Sequence, residues 1–305
     1  KVAGLKLFLG SSTGNMLVDD EATLRKIFSN TDLVISVHCE DEPTVKANLA
    51  AHIAEYGEDI PIEKHPIIRS HEACYISSSK AIALAKETGA RLHVFHLSTA
   101  IETELFDNTI PLKDKKITAE VCVHHLWFSA DDYAEKGTFI KWNPAVKNDA
   151  DRTALWAALN DDRIDVLATD HAPHTLEEKS NVYTKAPSGG PLVQHALLAL
   201  LTAAKQGKIT LEKLVEKACH NPAILFQVAK RGYLREGYCA DLVLVDLDRK
   251  TTVTKESLLY QCGWSPFEGT TFDAVIDQTW VNGKTVYANG KVIEVDAAQQ
   301  LTFDR

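Results

Sequence analysis

Lys6, His38, His96 and Asp170 lie far apart in the sequence, yet each falls within or just beyond a short apolar run. The runs are GLKLFL (4–9), LVISVH (33–38), RLHVFHL (91–97) and IDVLAT (164–169), and each reads as a β-strand. Side chains alternate along a strand. His38 therefore shares a face with Val34 and Ser36. His96 shares one with Leu92 and Val94, while His93 points the other way. Asp170 goes with Val166 and Ala168, and Lys6 with Gly4 and Phe8. Two imidazoles and a carboxylate suit Zn²⁺ or a similar divalent ion. Taken singly, each residue has an ordinary reading: a hydrogen-bonded structural histidine, an aspartate capping a turn, a snorkelling lysine. The joint pattern at matching strand ends argues for chemistry. Lys6 then needs an account, because a buried ammonium beside divalent cations is disfavoured. Its neutral amine can take up CO₂, and the carbamate is an anionic oxygen ligand able to bridge two metal ions.

These residues need a scaffold that brings strand ends together. A fifth run, ITAEVCV (117–123), completes a series of five strands alternating with helical stretches at 20–29, 43–56, 67–88, 100–107 and 150–160. Asp19, Asp20 and Asp149 stand where N-caps belong and Gly89 where a helix-ending glycine belongs. The alternation predicts a parallel sheet of βα units. Helices at 191–206 and 210–219 follow, the second capped by Thr210. Beyond about 232 the pattern turns to antiparallel strands, with tight-turn signals at Asn282-Gly283 and Asn289-Gly290. The expected division is thus a partial (β/α) barrel at 1–232 and a β-sandwich portion at 233–305. Five βα units are fewer than a closed eight-stranded barrel needs. Either three strands lie outside this chain, or the sheet is open and doubly wound. Only in a barrel do all the strand ends converge on one mouth.

Composition narrows the class. The 305 residues are 45% hydrophobic and 25% charged, the balance of a folded globular protein, and carry a formal charge of −9. No basic stripe suits nucleic acid. The longest apolar run, ALLALLTAA (196–204), is too short to span a bilayer, and no secretion signal opens the sequence. Six scattered cysteines without a C-x-x-C pair fit reduced thiols in a cytoplasm. The opening KVAGLKLFLG starts inside a strand-like pattern, which points to a piece of a longer chain.

The stretch ATDHAPHTLEEK (168–179) resembles the signature of dihydroorotases in the amidohydrolase superfamily: a small residue, Thr or Ser, Asp, any residue, Ala-Pro-His, then Lys five positions on. GLKLFL, VHCED and VFHLST resemble that family's fourth-, fifth- and sixth-strand motifs, in order. NPAILF (221–226) and GYLREGYCADLVLVD resemble the passage into its small β-sandwich, and GWSPFEGTTF followed by TWVNGKTVY resembles cyclic amidohydrolases. The resemblance covers essentially the whole chain. It implies a TIM-type (β/α)₈ barrel, of which strands four to eight are present, and a site with two divalent ions, Zn²⁺ foremost. Lys6 would be the carboxylated bridging ligand, His38 and His96 would bind one metal, and Asp170 would bind the other and shuttle protons. His174 would meet the substrate carboxylate, Asn143 would contact the substrate, and a backbone amide of PSGG (187–190), at Gly189, would hydrogen-bond the ring. Ser12 or Thr13, in the loop after Lys6, would add a hydroxyl contact. The implied reaction is the reversible cyclisation of N-carbamoyl-L-aspartate to L-dihydroorotate plus water in pyrimidine biosynthesis. A homodimer or association with a transcarbamoylase is the implied assembly.

The family's His-x-His pair is missing: no such spacing occurs, and the adjacent His124 and His125 point to opposite faces of a strand. The competing readings are a hydantoinase or allantoinase, disfavoured by His174, and a non-catalytic scaffold subunit, disfavoured by the retained Lys6, His38, His96 and Asp170.

Overall fold

A computed structural model describes residues 2–10, 17–18 and 20–305. Five strands, β1 (Gly4–Phe8), β2 (Val34–His38), β3 (Leu92–Val94), β4 (Ile117–Cys122) and β5 (Val166–Ala168), form one parallel sheet in the order β1-β2-β3-β4-β5. β2 is buried along its whole length, as its unbroken VISVH run requires of a strand covered on both faces. The strand order follows the chain without reversal. A doubly wound sheet would have a switch point, so the order decides for a barrel-like arc.

Helices Glu21–Ser29, Glu42–Tyr56, His71–Thr88, Ala100–Thr103 and Asp149–Asn160 occupy the crossovers. Their starts are set by side-chain caps: Asp20 accepts from the Thr23 N–H at 2.7 Å, Asp41 from Thr44 at 3.3 Å and Ser70 from Ala73 at 3.2 Å. The expected Asp149 cap is replaced by its neighbour Asn148, which accepts from Asp151. The stretch 67–88 divides into two helices, His65–Ile68 and His71–Thr88, separated at Arg69 and the Ser70 cap. Gly89 ends the second in the left-handed region, φ 73°, with its N–H donating to Ala85 O. β5 is fixed by Asp165, whose buried carboxylate meets Lys115 Nζ at 2.7 Å and the Ala119 N–H at 3.1 Å.

The chain forms two compact units, one of Gly4–Gln194 with Leu258–Pro266, the other gathering His195–Ser257 and Phe267–Arg305. They divide earlier than the 232/233 junction read from the sequence pattern. Helix Ala196–Lys205 is tied to the later strands: Thr202 Oγ1 accepts from the Asp273 N–H at 2.9 Å and Lys205 Nζ donates to Leu247 O at 2.6 Å. The second unit also holds β6 (Leu242–Asp246), β7 (Thr251–Thr252), β8 (Thr271–Phe272), β9 (Val275–Val281), β10 (Lys284–Ala288) and β11 (Lys291–Val292). β11-β10-β9-β6 is an antiparallel sheet and β7 pairs with β8. Asn282-Gly283 and Asn289-Gly290 turn with φ of 51° and 78°, and 53° and 77°, as Asn-Gly hairpins do. Cys39, Cys74 and Cys122 are buried and unpaired.

Candidate metal centre and substrate site

The sheet register sets a row across four strands: Lys6 beside Ser36, Ser36 beside His93, His93 beside Thr118. His93 therefore shares the face of Lys6 and His38, and is held there by Thr118 Oγ1 at 2.9 Å and Glu120 at 3.0 Å. His96 departs from simple alternation. β3 ends at Val94, and His96 takes φ 37°, a left-handed conformation uncommon for a non-glycine residue. That turn brings its ring to His38: His38 Nδ1 and His96 Nε2 are 3.0 Å apart. The other nitrogen of His38, Nε2, meets buried Glu40 at 2.9 Å, and Glu40 is held by Arg69 at 2.5 Å. Burial opposes ionisation of Glu40, but Arg69 and His38 outweigh it and hold the carboxyl well below the usual range. Burial and the neighbouring His38 lower the His96 imidazole to about 4, against a partial opposing pull from Asp170. A neutral imidazole is the ligand form.

Asp170 also takes a positive φ, 46°, beyond the end of β5. It caps no helix: the next begins at Leu176, capped by Thr175 in a reciprocal pair with Glu178. Lys6 does not meet the expectation of burial. It is exposed, with Nζ 4.5 Å from the Phe8 ring centre and 5.2 Å from that of Phe95. Among the described residues, no group of three or more His, Cys, Asp or Glu closes on a common point. His124 and His125 are buried at the end of β4 in a short helix, Val123–Trp127, rather than on strand faces.

A second set of residues lies in the segments after β4 and β5. The buried Asn143 Oδ1 has no hydrogen-bond partner. His174 is half-buried, its Nδ1 3.7 Å from Glu178 and its carbonyl accepting from Trp264 Nε1 at 2.8 Å. Gly189 departs from expectation: its N–H already donates to Lys141 O at 2.9 Å, so it offers no free donor to a ligand. Ser12 and Thr13 lie outside the described residues.

Sequence reasoning missed Glu40, Arg69, Trp142 and Trp264. Glu40 was findable, two residues past His38 and on the same face by alternation. Arg69 and the tryptophans come from distant segments and leave no local signal. Among the described residues, the unpartnered buried atoms Glu40 Oε1, His96 Nδ1 and His125 Nδ1 lie just past the ends of β2, β3 and β4, where a ligand-binding mouth forms, while Trp142 Nε1 and Asn143 Oδ1 are unpartnered farther along the segment between β4 and β5.

A profile described as the amidohydrolase family matches residues 13–286. The dihydroorotase of Halobacterium salinarum is 36% identical over 297 residues, 95% of this chain and 66% of that protein. The dihydroorotase of Shouchella clausii is 33% identical over 96% of this chain and 67% of its own. Among solved structures, the L-hydantoinase (dihydropyrimidinase) of Arthrobacter aurescens superposes with a TM-score of 0.87 at 28% identity, covering 96% of this chain and 66% of that one. The chain thus spans about two thirds of the length of these relatives. The five-stranded parallel arc, the profile match and the relatives agree: the chain belongs to the amidohydrolase family.

Proposed function

We propose that this chain carries the metal-dependent cyclic-amide chemistry of a dihydroorotase, closing N-carbamoyl-L-aspartate to L-dihydroorotate with loss of water and reopening it. The five-strand arc then corresponds to strands four to eight of an amidohydrolase barrel. The single observation that carries the reading is the His38–His96 contact. Two ligands on one tetrahedral ion at about 2.05 Å would sit roughly 3.3 Å apart, and these nitrogens lie 3.0 Å apart. His38 is further backed by a carboxylate on its other nitrogen, the arrangement that orients ligating histidines.

His38 and His96 would hold one divalent ion. Asp170 would contribute to a second, and Lys6 the carbamate; support for Lys6 is its place in the family pattern and in the sheet row. Such ions polarise an amide carbonyl and lower the pKa of water. Asp170 accepts a proton and returns it to the ring nitrogen, one group serving as base and then acid. Asn143 Oδ1, an acceptor without a partner, suits a ring N–H. His174 offers its imidazole to the substrate carboxylate.

The alternative, a hydantoinase, draws on the solved-structure likeness. His174 and the higher identity to dihydroorotases favour the first reading. Full-length protein should turn over dihydroorotate and carbamoyl aspartate, and Asp170→Asn should lower kcat about 10²- to 10⁴-fold while metal content changes less. Faster opening of a hydantoin or dihydrouracil than of dihydroorotate would transfer the assignment to the alternative.

A further inference from the structure

The signature ends on a lysine that the chemistry above does not use. Lys179 closes the short helix Leu176–Lys179 and is fully buried. Its Nζ reaches three backbone oxygens, Pro187 O and Gly189 O at 2.9 Å and Lys141 O at 3.3 Å. An ammonium has three donors, and three acceptors surround this one. The Lys179 carbonyl in turn accepts from Thr138 Oγ1.

These contacts join three segments. Lys141 precedes Asn143 by two residues, and its carbonyl also receives the Gly189 N–H. The 187–193 loop runs against the turn after Asp170: Ala172 N–H donates to Gly190 O at 3.2 Å, and Leu192 N–H to His171 Nδ1 at 3.0 Å. Gly190 fits tightly between two indoles, since a Cβ there would lie 2.9 Å from Trp142 and 3.2 Å from Trp264. Trp264 also holds the His174 carbonyl. An apolar side chain could fill the Lys179 volume but could not tie these strands of backbone.

We propose that Lys179 is a positioning residue for substrate recognition, fixing the Asn143 segment and the 187–190 loop relative to the turn that presents His174. The inference rests on the dihydroorotase reading for the identity of the substrate, and on the hydrogen bonds alone for the positioning.

The test is Lys179→Met in the metal-loaded, full-length protein, assayed with L-dihydroorotate alongside metal content. KM should rise about tenfold or more, kcat should fall less than about threefold, and metal per chain should stay unchanged, since binding geometry and not chemistry is disturbed. An unchanged KM, or kcat and metal falling together, overturns the proposal. Should the Met variant fail to fold, Lys179→Arg keeps the charge but cannot place its planar donors on all three oxygens, and the same split is expected. A wild-type protein that opens a different cyclic amide refutes the substrate and not the positioning, and the KM comparison is then made on that amide. Without any turnover, hydrogen exchange decides: the Gly189 amide should lose protection in the Met variant, and retained protection overturns the proposal.

Discussion

His38 shows what a single residue needs in order to act as a ligand. Its Nδ1 faces His96 because its Nε2 is committed to Glu40, and Glu40 stays fixed because Arg69 holds the same oxygen. Replacing Glu40 with Gln keeps the shape and removes the charge that orients the ring. The expected outcome is a 10- to 100-fold loss of metal affinity, roughly the cost of losing an outer-shell partner, read by competition with a chelator. Affinity within about twofold of wild type would show that packing alone orients His38. At this scale the sequence was partly legible. Alternation placed His38 and Asp170 at strand ends. It misplaced His93 and His96, because a positive φ at His96 reverses the face of its side chain and no periodicity records a single dihedral angle. It also overstated the burial of Lys6, since exposure depends on what covers a sheet face.

At the scale of elements, helix starts were readable where a short polar side chain meets a free N–H, as at Asp20 and Thr210. The Asn-Gly turns were readable for the same local reason. The pairing of the turn after β5 with the 187–193 loop was not, because neither segment is a regular strand. Gly189 is the backbone hinge of that pairing. It has φ 126°, and a Cβ would lie 2.4 Å from Ala172 O. Gly57 has φ 70° with open space around it. Gly189→Ala should therefore destabilise by more than about 3 kcal/mol through strain and clash, and Gly57→Ala by only about 1 kcal/mol through the left-handed conformation alone. Urea unfolding of the two variants checks the ranking; equal losses would mean the loop relaxes freely away from Ala172.

For the molecule as a whole, nothing in the local pattern signals that Lys141 and Lys179 are buried against backbone carbonyls in a protein with a net charge of −9. Both lie in the long segments that follow β4 and β5, and the consequence is a signature in stability against pH. Burial lowers Lys179 from 10.5 to about 7, with Lys141 nearby as the second cause, and lowers Lys141 to about 8. In both, the folded value lies below that of the unfolded chain. Between about 7 and 10.5 the unfolded chain holds protons that the folded chain has released, so these groups make stability rise with pH across that window. Below it, both states carry the charge and the folded state bears the full cost of burying it. Each such lysine can contribute a slope of up to about 1.4 kcal/mol per pH unit. Titrations of groups not coupled to Lys179 cancel when Lys179→Met is subtracted from wild type. Urea unfolding at pH 7.5, 8.5 and 9.5 should show wild-type stability gaining on the variant at each step, by about 1 kcal/mol per unit. Parallel curves would mean that Lys179 keeps its proton in its carbonyl cage throughout, with the three backbone oxygens offsetting the loss of water.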